Sequence, residues 1–291
     1  MSIGTTALTK RYGDTVALAD VDIEVPTGSV YGLVGPNGAG KTTLLGILAR
    51  LRRPTSGTVR VGGARVAVLP DTPRFDGWLT GREVVDLSRT MADPVPAEPA
   101  TEEVIAAAGL AEAAHRKVGG YSRGMLQRLG LAAAVVGDPD VLLLDEPAAA
   151  LDPAGRREVL DLITAIRGKA TVLFSSHILD DVQEVCDRVG ILRRGELVHQ
   201  GTLDDLLRSR AVASYTVVVR SDATGTADAL RGAPWVTNAT AEDDSTIRLE
   251  VSSHAAAEVG LVPLLAAVGR PIVSLAPNYE TLEQVFLEMT Q

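Results

Sequence analysis

Apolar and polar residues alternate from Ala17 to Val25, which is the period of a half-buried strand, and the apolar run from Val30 to Val34 predicts a second strand. A glycine-rich segment then precedes a helix predicted over Thr42 to Leu51, where leucines recur along one face. Strand, glycine-rich loop and helix therefore follow one another in the order of a phosphate-binding site.

The middle of the chain, from about residue 80 to residue 135, is predicted to be mainly helical. Thr80 and Glu83 have the spacing of a capping box, and the stretch from Thr101 to Ala108 begins with an acidic first turn. We expect a helical subdomain here.

Two short apolar runs follow, Val141 to Leu144 and Thr171 to Ser175, each typical of a central parallel strand that is covered on both faces. A helix predicted over Arg156 to Arg167 separates them. The resulting strand-helix-strand unit indicates an α/β fold with a parallel sheet.

After Arg210 the pattern changes to strand, helix, strand, strand, helix, strand, an order compatible with a small ferredoxin-like α+β unit. An amphipathic helix is predicted to follow from Thr281 to Met289. We therefore divide the chain into residues 1–210 and a C-terminal accessory domain, residues 211–291.

Composition narrows the class of protein. Hydrophobic residues make up 46% and charged residues 22% of the 291 residues, as in globular proteins. The formal net charge is -9 and Lys and Arg are scattered, so no nucleic-acid partner is expected. No apolar run approaches the ~20 residues of a membrane-spanning helix, and the start of the chain lacks the features of a secretory signal. We expect the chain to lie inside the cell, with the lone Cys186 as a core residue.

The glycine-rich segment carries the most specific chemical signal. Its sequence Gly35-Pro36-Asn37-Gly38-Ala39-Gly40-Lys41-Thr42 fits the phosphate-loop pattern G-x-x-x-x-G-K-[ST]. The glycines let backbone N–H groups approach phosphates closely. Lys41 is expected to reach the β- and γ-phosphates, and the Thr42 hydroxyl to ligate Mg²⁺. The pattern predicts binding of ATP and magnesium.

Two acidic residues and a histidine follow the predicted parallel strands, at the sheet edge where α/β proteins bind ligands. Asp145 is placed to hold the metal ion, and Glu146 to orient or deprotonate an attacking water. His177 follows the next strand and is placed to contact the γ-phosphate.

Five motifs together resemble an ABC transporter ATP-binding subunit over roughly Ser2 to Leu207. They are the phosphate loop, Tyr121-Ser122-Arg123-Gly124-Met125-Leu126-Gln127-Arg128, Asp145-Glu146-Pro147, Leu151-Asp152 and His177, in the family's order and spacing. The resemblance implies a P-loop NTPase fold with ATPase activity, paired head to tail as a homodimer or heterodimer around two ATP molecules. It also implies separate integral membrane permease subunits, which would hold the chain at the cytoplasmic face of the cell membrane.

The resemblance assigns further residues. Tyr12 resembles the aromatic that stacks on adenine, and Thr43 extends the nucleotide-binding set that begins at Gly35. Ser122 and Gly124 resemble the signature residues that contact the γ-phosphate of the partner's ATP, and a helix N-terminus with small residues is an anion site on physical grounds as well. Lys41, Glu146 and His177 are the expected catalytic residues.

Several positions depart from the family pattern. Arg123 and Met125 stand where the signature usually has glycine and glutamine, a variant that resembles the type-2 exporter branch. Asp71 stands where the family has a glutamine that senses magnesium and couples to the membrane subunit; a carboxylate can ligate Mg²⁺ but cannot donate a hydrogen bond. Ala148 to Ala150 replace the family's hydroxyl residues and glycine, so slower hydrolysis is expected.

The predicted function is ATP-driven export through membrane subunits that dock near Trp78 and Leu79. The signature and the C-terminal tail both resemble those of type-2 exporter ATPases, drug-efflux ones included, although the tail is equally consistent with a packing or dimer-stabilising domain. One alternative is an importer ATPase. Another is a soluble ATP-driven clamp on nucleic acid, which would carry a coiled-coil insertion, a second ATPase domain or a basic groove, and none is visible in the sequence.

Overall fold

The computed structural model describes residues 3–61, 65–149, 151–210, 214–278, 282–283 and 286. The chain divides into two compact units between Leu203 and Asp204, whereas the sequence placed the boundary at residue 210. Ala150 and most of the helix predicted over Thr281 to Met289 lie outside the described residues.

The described residues of the first unit form two sheets and six α-helices. Its elements are β1 Ile3–Tyr12, β2 Thr15–Val21, β3 Glu24–Val25, β4 Val30–Val34, α1 Lys41–Leu48, β5 Ser56–Val61, β6 Val66–Leu69, α2 Gly81–Thr90, α3 Pro99–Ala107, α4 Arg123–Val135, β7 Val141–Asp145, α5 Pro153–Ile166, β8 Thr171–Ser176, α6 Leu179–Val185, β9 Arg188–Arg193 and β10 Glu196–Thr202. None of the helices in the described part of the chain has the length and apolar content needed to span a membrane.

The larger sheet of this unit has the strand order β10-β9-β4-β8-β7-β6. All neighbouring strands are parallel except β10, which is antiparallel to β9. Every residue of β7 and β8 is buried, which confirms the prediction of central strands covered on both faces. Because β4, β8 and β7 are adjacent, the loops at their carboxyl ends meet at one edge of the sheet.

The smaller sheet consists of β2, β1 and β3, with β5 also paired to β1. The continuous strand predicted over Ala17 to Val25 is wrong, because the segment forms two strands, β2 and β3. Ala7 in β1 has a left-handed φ of 47°, and its N–H donates to the Asp22 carboxylate at 2.5 Å. Pairing with β1 therefore stops at Val21 and resumes at Glu24.

Two helices begin or end earlier than the sequence predicts. Helix α1 ends at Leu48 because Arg50, with a φ of 59°, leaves the helical conformation. Helix α5 begins at Pro153, since the Asp152 carboxylate accepts a hydrogen bond from the Gly155 N–H at 3.1 Å and caps the helix there.

Helices α2, α3 and α4 pack around one apolar cluster that includes Val85, Ile105 and Leu129. The predicted capping box of α2 is confirmed: the Thr80 hydroxyl accepts from the Glu83 N–H at 3.2 Å, and the Glu83 carboxylate accepts from the Thr80 N–H at 2.7 Å. The Glu83 carboxylate accepts from the Thr80 N–H and also, at 2.8 Å, from the Thr80 hydroxyl, and these two bonds lower the pKa of Glu83.

The second unit has the predicted order strand, helix, strand, strand, helix, strand, preceded by one more helix. Its elements are α7 Leu203–Arg210, β11 Ser214–Val219, α8 Ala223–Leu230, β12 Val236–Ala241, β13 Thr246–Val251, α9 His254–Val268 and β14 Ile272–Asn278. The antiparallel strands lie in the order β12-β13-β11-β14, and alternate β11 residues, Tyr215, Val217 and Val219, share a core with α8 and α9. This is the arrangement of a ferredoxin-like unit.

Candidate active site

The loop after β4 ends in a helix that no side chain caps. Gly40, the residue before α1, has a φ of 110°, and its position offers no side chain to bind the N–H groups of the first turn. The first N–H groups of a helix have no partner within the helix, and they carry the positive end of its dipole. The start of α1 is therefore suited to bind an anion.

The glycines of this loop are required by close packing. A Cβ atom on Gly35 would lie 2.3 Å from the carbonyl oxygen of Leu192 in β9, and one on Gly40 would lie 2.6 Å from the carbonyl oxygen of Ala17 in β2. The loop thus rests directly on backbone from two neighbouring strands, which holds its N–H groups in position.

Lys41 lies across the loop and links it to the acidic residues. Its Nζ donates to the carbonyl oxygens of Gly35 at 2.6 Å and Pro36 at 3.4 Å, and it lies 3.3 Å from Glu146 Oε1. The Lys41 side chain is only 6% exposed, so this ammonium group is fixed where phosphates would approach α1.

Ser175 of β8 holds the two carboxylate residues in place. Its hydroxyl donates to Asp145 Oδ1 at 2.6 Å and accepts from the Glu146 N–H at 3.0 Å. Glu146 has a left-handed φ of 50°, a conformation that costs a non-glycine residue energy and is found at functional sites. With its backbone turned in this way, Glu146 places its side chain against Lys41.

His177 binds the other oxygen of the same carboxylate. Its Nδ1 lies 2.7 Å from Glu146 Oε2, and its backbone N–H donates to that oxygen at 3.3 Å. Lys41, Glu146 and His177 therefore form one connected network, although they come from the start of α1 and from the loops that follow β7 and β8.

A cleft of about 370 Å³ opens above this network. The sequence-predicted residues that line it are Pro36, Asn37, Gly38, Ala39, Gly40, Lys41, Thr42, Thr43, Asp71, Glu146 and His177. Ala17 and Ala149 complete the lining, while Gly35 and Asp145 lie beneath it as bonding partners of Lys41 and Ser175.

The oxygen atoms at this cleft fit a magnesium ion that shares its ligands with phosphate. Within the described residues no three His, Cys, Asp or Glu side chains form a closed metal cage. Mg²⁺ is usually held by one or two carboxylates together with substrate phosphates and water. Asp145, the Thr42 hydroxyl and the exposed Asp71 are the residues that would offer oxygen ligands of this kind.

Three further predicted residues, Tyr12, Ser122 and Gly124, do not line the cleft. Tyr12 is 46% exposed; its hydroxyl accepts from Arg52 Nη1 at 3.1 Å, and Lys10 Nζ lies 4.8 Å from the ring centroid. Ser122 caps α4, accepting a hydrogen bond from the Met125 N–H at 3.2 Å, and Gly124 lies in the first turn of that helix. These two residues are not brought to the cleft of their own chain.

Sequence reasoning missed two supports of the site. Ser175 appears in the sequence only as the last residue of an apolar run, and its polarity within a fully buried strand was the one available signal. The Leu192 carbonyl beneath Gly35 could not be predicted, because every residue type has the same backbone carbonyl group.

Comparisons with known proteins give the family. A family model described as ABC transporter matches residues 18–149. The ATP-binding protein YxlF of Bacillus subtilis, described as an uncharacterized ABC transporter protein, is 35% identical over 97% of this chain and 97% of its own length. The bacitracin transport ATP-binding protein BcrA of Enterococcus faecalis is 32% identical over 99% and 96%. The daunorubicin resistance ATP-binding protein DrrA3 of Streptomyces coeruleorubidus is 34% identical over 97% and 93%.

Solved structures share the fold over 69–72% of this chain. A structure described as the ATP-binding subunit of an ABC transporter has a TM-score of 0.65 and 27% identity over 72% of this chain and 93% of its own. A dimeric ATP-binding cassette bound to ADP and Pi has a TM-score of 0.63 and 23% identity over 69% and 98%, a likeness that shows the fold alone. With relatives that match it over nearly its whole length, the chain belongs to the ATP-binding subunits of ABC transporters, which hydrolyse ATP to power transport.

Proposed function

We propose that the chain is the ATPase subunit of an exporter, that it works as a pair of copies at the cytoplasmic face of a membrane, and that separate membrane subunits carry the substrate. The observation that carries the ATPase part is the network of Lys41, Glu146 and His177 at the uncapped start of α1. Export is supported by the relatives BcrA and DrrA3, whose names assign bacitracin transport and daunorubicin resistance to those proteins.

The chain's own groups bind the triphosphate. The N–H groups at the start of α1 and the ammonium group of Lys41 present positive charge to the phosphates, and Thr43 lines the same cleft. Glu146 is the counter-ion of Lys41, so the bound phosphates would replace Glu146 Oε1 as the anionic partner of Lys41.

Hydrolysis transfers the γ-phosphoryl group to water, forming a new P–O bond as the bond to the bridging oxygen of ADP breaks. Glu146 accepts a hydrogen bond from the attacking water and orients it, and His177 fixes the Glu146 carboxylate through Oε2. Asp145, Thr42 and Asp71 would hold Mg²⁺, which when bound neutralises charge on the phosphate oxygens.

A second copy completes the site. Ser122 and Gly124 lie at the start of α4, and they do not line the cleft of their own chain. The Ser122 oxygen accepts the Met125 N–H, which leaves its O–H free to donate outward to a phosphate. The dimeric cassette among the structural neighbours supports pairing of two copies, and the head-to-tail arrangement is part of the proposal.

The membrane subunits are proposed to dock at the helical region. Trp78 is 69% exposed just before α2, and Leu87 and Met91 on that helix or at its end are also exposed. Large apolar side chains exposed together mark interaction surfaces.

Two substitutions test the proposal. Lys41→Ala should abolish ATP binding measured by calorimetry, because it removes the buried ammonium group, whereas Lys169→Ala, outside the site, should not. Glu146→Gln should retain ATP binding and trap an ATP-bound dimer with little phosphate release. Unchanged ATPase rates in both the Lys41 and the Glu146 variants would contradict the mechanism.

A further inference from the structure

Four arginine side chains line one cleft near the C-terminal end of α1. This arginine cleft has a volume of about 600 Å³, and its cationic residues are Arg50, Arg52, Arg53 and Arg60. The segment from Arg50 to Arg60 contains no Asp or Glu, although the chain as a whole has a net charge of -9. The expectation that Lys and Arg are scattered is therefore wrong at this place.

Most of this charge has no acidic partner. Within the described residues no carboxylate lies within 4.0 Å of the Arg50, Arg52 or Arg53 guanidinium groups. Arg60 lies 3.8 Å from Glu24, but both side chains are more than half exposed, so solvent screens that pair. Lys10 adds another cation, since its Nζ donates to the Arg53 carbonyl oxygen at 2.8 Å.

Neutral oxygen atoms hold two of these arginines in place. Arg50 Nη2 donates to the Val61 carbonyl oxygen at 3.3 Å. Arg52 Nη1 donates to the hydroxyl oxygens of Tyr12 at 3.1 Å and Thr43 at 3.4 Å. These hydrogen bonds fix the Arg50 and Arg52 side chains without neutralising their positive charges. Neighbouring positive charges repel each other unless an anion lies between them.

The walls of the arginine cleft strengthen its field. Ile47, Val59 and Val61 contribute apolar surface beside the guanidinium groups. A cleft lined by charge of one sign with walls of low dielectric constant concentrates oppositely charged ligands. The planar guanidinium fork matches the oxygens of phosphate, and two or more such groups favour an anion of more than one charge.

We propose that the arginine cleft binds a phosphate-bearing ligand with at least two negative charges, at a site separate from the nucleotide cleft. The two clefts share no lining residue. The phosphate groups can come from a free diphosphate-type metabolite or from an anionic lipid headgroup, since both present the same oxygens to arginine.

The first experiment titrates inorganic pyrophosphate into the Lys41→Ala protein, in which the phosphate loop is disabled. Binding is expected, and Arg50→Gln with Arg53→Gln in that background should weaken it at least about tenfold, because charge-assisted hydrogen bonds are lost. Arg157→Gln, which removes one positive charge from α5 outside the cleft, is the control and should leave affinity unchanged. If a Lys41 variant fails to fold, the unmodified chain saturated with ADP takes its place.

The second experiment measures co-sedimentation with phosphatidylcholine vesicles that contain or lack phosphatidic acid. Pyrophosphate binding without vesicle binding assigns the site to a free ligand, and vesicle binding that depends on phosphatidic acid, Arg50 and Arg53 assigns it to a lipid. Pyrophosphate and vesicle binding that are both absent, or both unaffected by Arg50→Gln with Arg53→Gln, would overturn the proposal.

Discussion

The N-termini of α1 and α4 differ in whether a side chain caps their first N–H groups. Gly40 leaves the start of α1 without a side-chain cap, and the buried Lys41 follows at once. The start of α4 is capped by Ser122, and no described residue of the nucleotide cleft lies there. The first terminus is built to receive phosphate within its own chain, whereas the second presents a positioned hydroxyl outward. The difference explains why one chain carries only half of the proposed ATP site.

One added methyl group in the loop before α1 should have a much larger effect than one added at the start of α4. Gly35→Ala places Cβ 2.3 Å from the Leu192 carbonyl oxygen and should destabilise the protein by more than about 2 kcal/mol, with loss of ATP binding. Gly124→Ala meets nothing closer than 3.5 Å, so the fold and ATP binding should survive while hydrolysis falls. Thermal unfolding, calorimetry and phosphate release measure these effects. Equal loss of stability in both variants would remove the distinction.

Ser122→Ala tests whether the cap of α4 also serves a partner's phosphate. Loss of the cap should cost about 1 kcal/mol of stability, and ATP-dependent dimer formation should be largely lost. Ser253→Ala is a matched control, because Ser253 caps α9 through the Ala256 N–H at the same 3.2 Å. The Ser253→Ala variant should lose a similar amount of stability while its ATPase rate stays unchanged. An equal loss of ATPase in both would reduce Ser122 to a structural cap.

Ser175→Ala tests whether Ser175 positions Asp145 and Glu146. The substitution removes the hydroxyl that bonds Asp145 and the Glu146 N–H, so the ATPase rate should fall about tenfold, with a higher magnesium requirement. Ser88→Ala, which removes one hydroxyl bonded to the Val84 carbonyl oxygen in α2, should leave both unchanged. An unaltered magnesium requirement in the Ser175 variant would place the metal ion elsewhere.

Asp71→Gln should have the smallest effect and preserve or raise turnover. Asp71 lines the cleft as an exposed carboxylate, and glutamine would retain an oxygen ligand while adding a hydrogen-bond donor. ATPase assays at several magnesium concentrations measure the change. A complete loss of activity would show that the Asp71 carboxylate has a role that an amide cannot fill.

The parts of the site that could be predicted from the sequence are those formed by contiguous residues. The phosphate loop, the pair Asp145 and Glu146, and the strands that carry them all leave local patterns, and the parallel direction of β7 and β8 follows from their strand-helix-strand connection. The position of β8 between β4 and β7 was not predicted. The division of the Ala17–Val25 segment was missed because it depends on the left-handed Ala7 in another strand.

The arginine cleft was missed for a different reason. Arg50, Arg52, Arg53 and Arg60 lie within one short segment, but the sequence does not show that the turn after α1 and strand β5 point them into a common space. Periodicity predicts elements and one buried face; it does not predict which exposed side chains converge after the chain folds.

Mixing two inactive variants shows whether a second copy completes the ATP site. Lys41→Ala disables the α1 half of a site and Ser122→Ala disables the α4 half, so a mixed dimer retains one site with both halves intact. If a second copy completes the site, the mixture should hydrolyse ATP faster than the sum of the two variants alone. The Lys41→Ala, Ser122→Ala double variant mixed with unmodified chain should gain nothing. No gain in the first mixture, with dimers present by light scattering, would contradict completion of the site by a second copy.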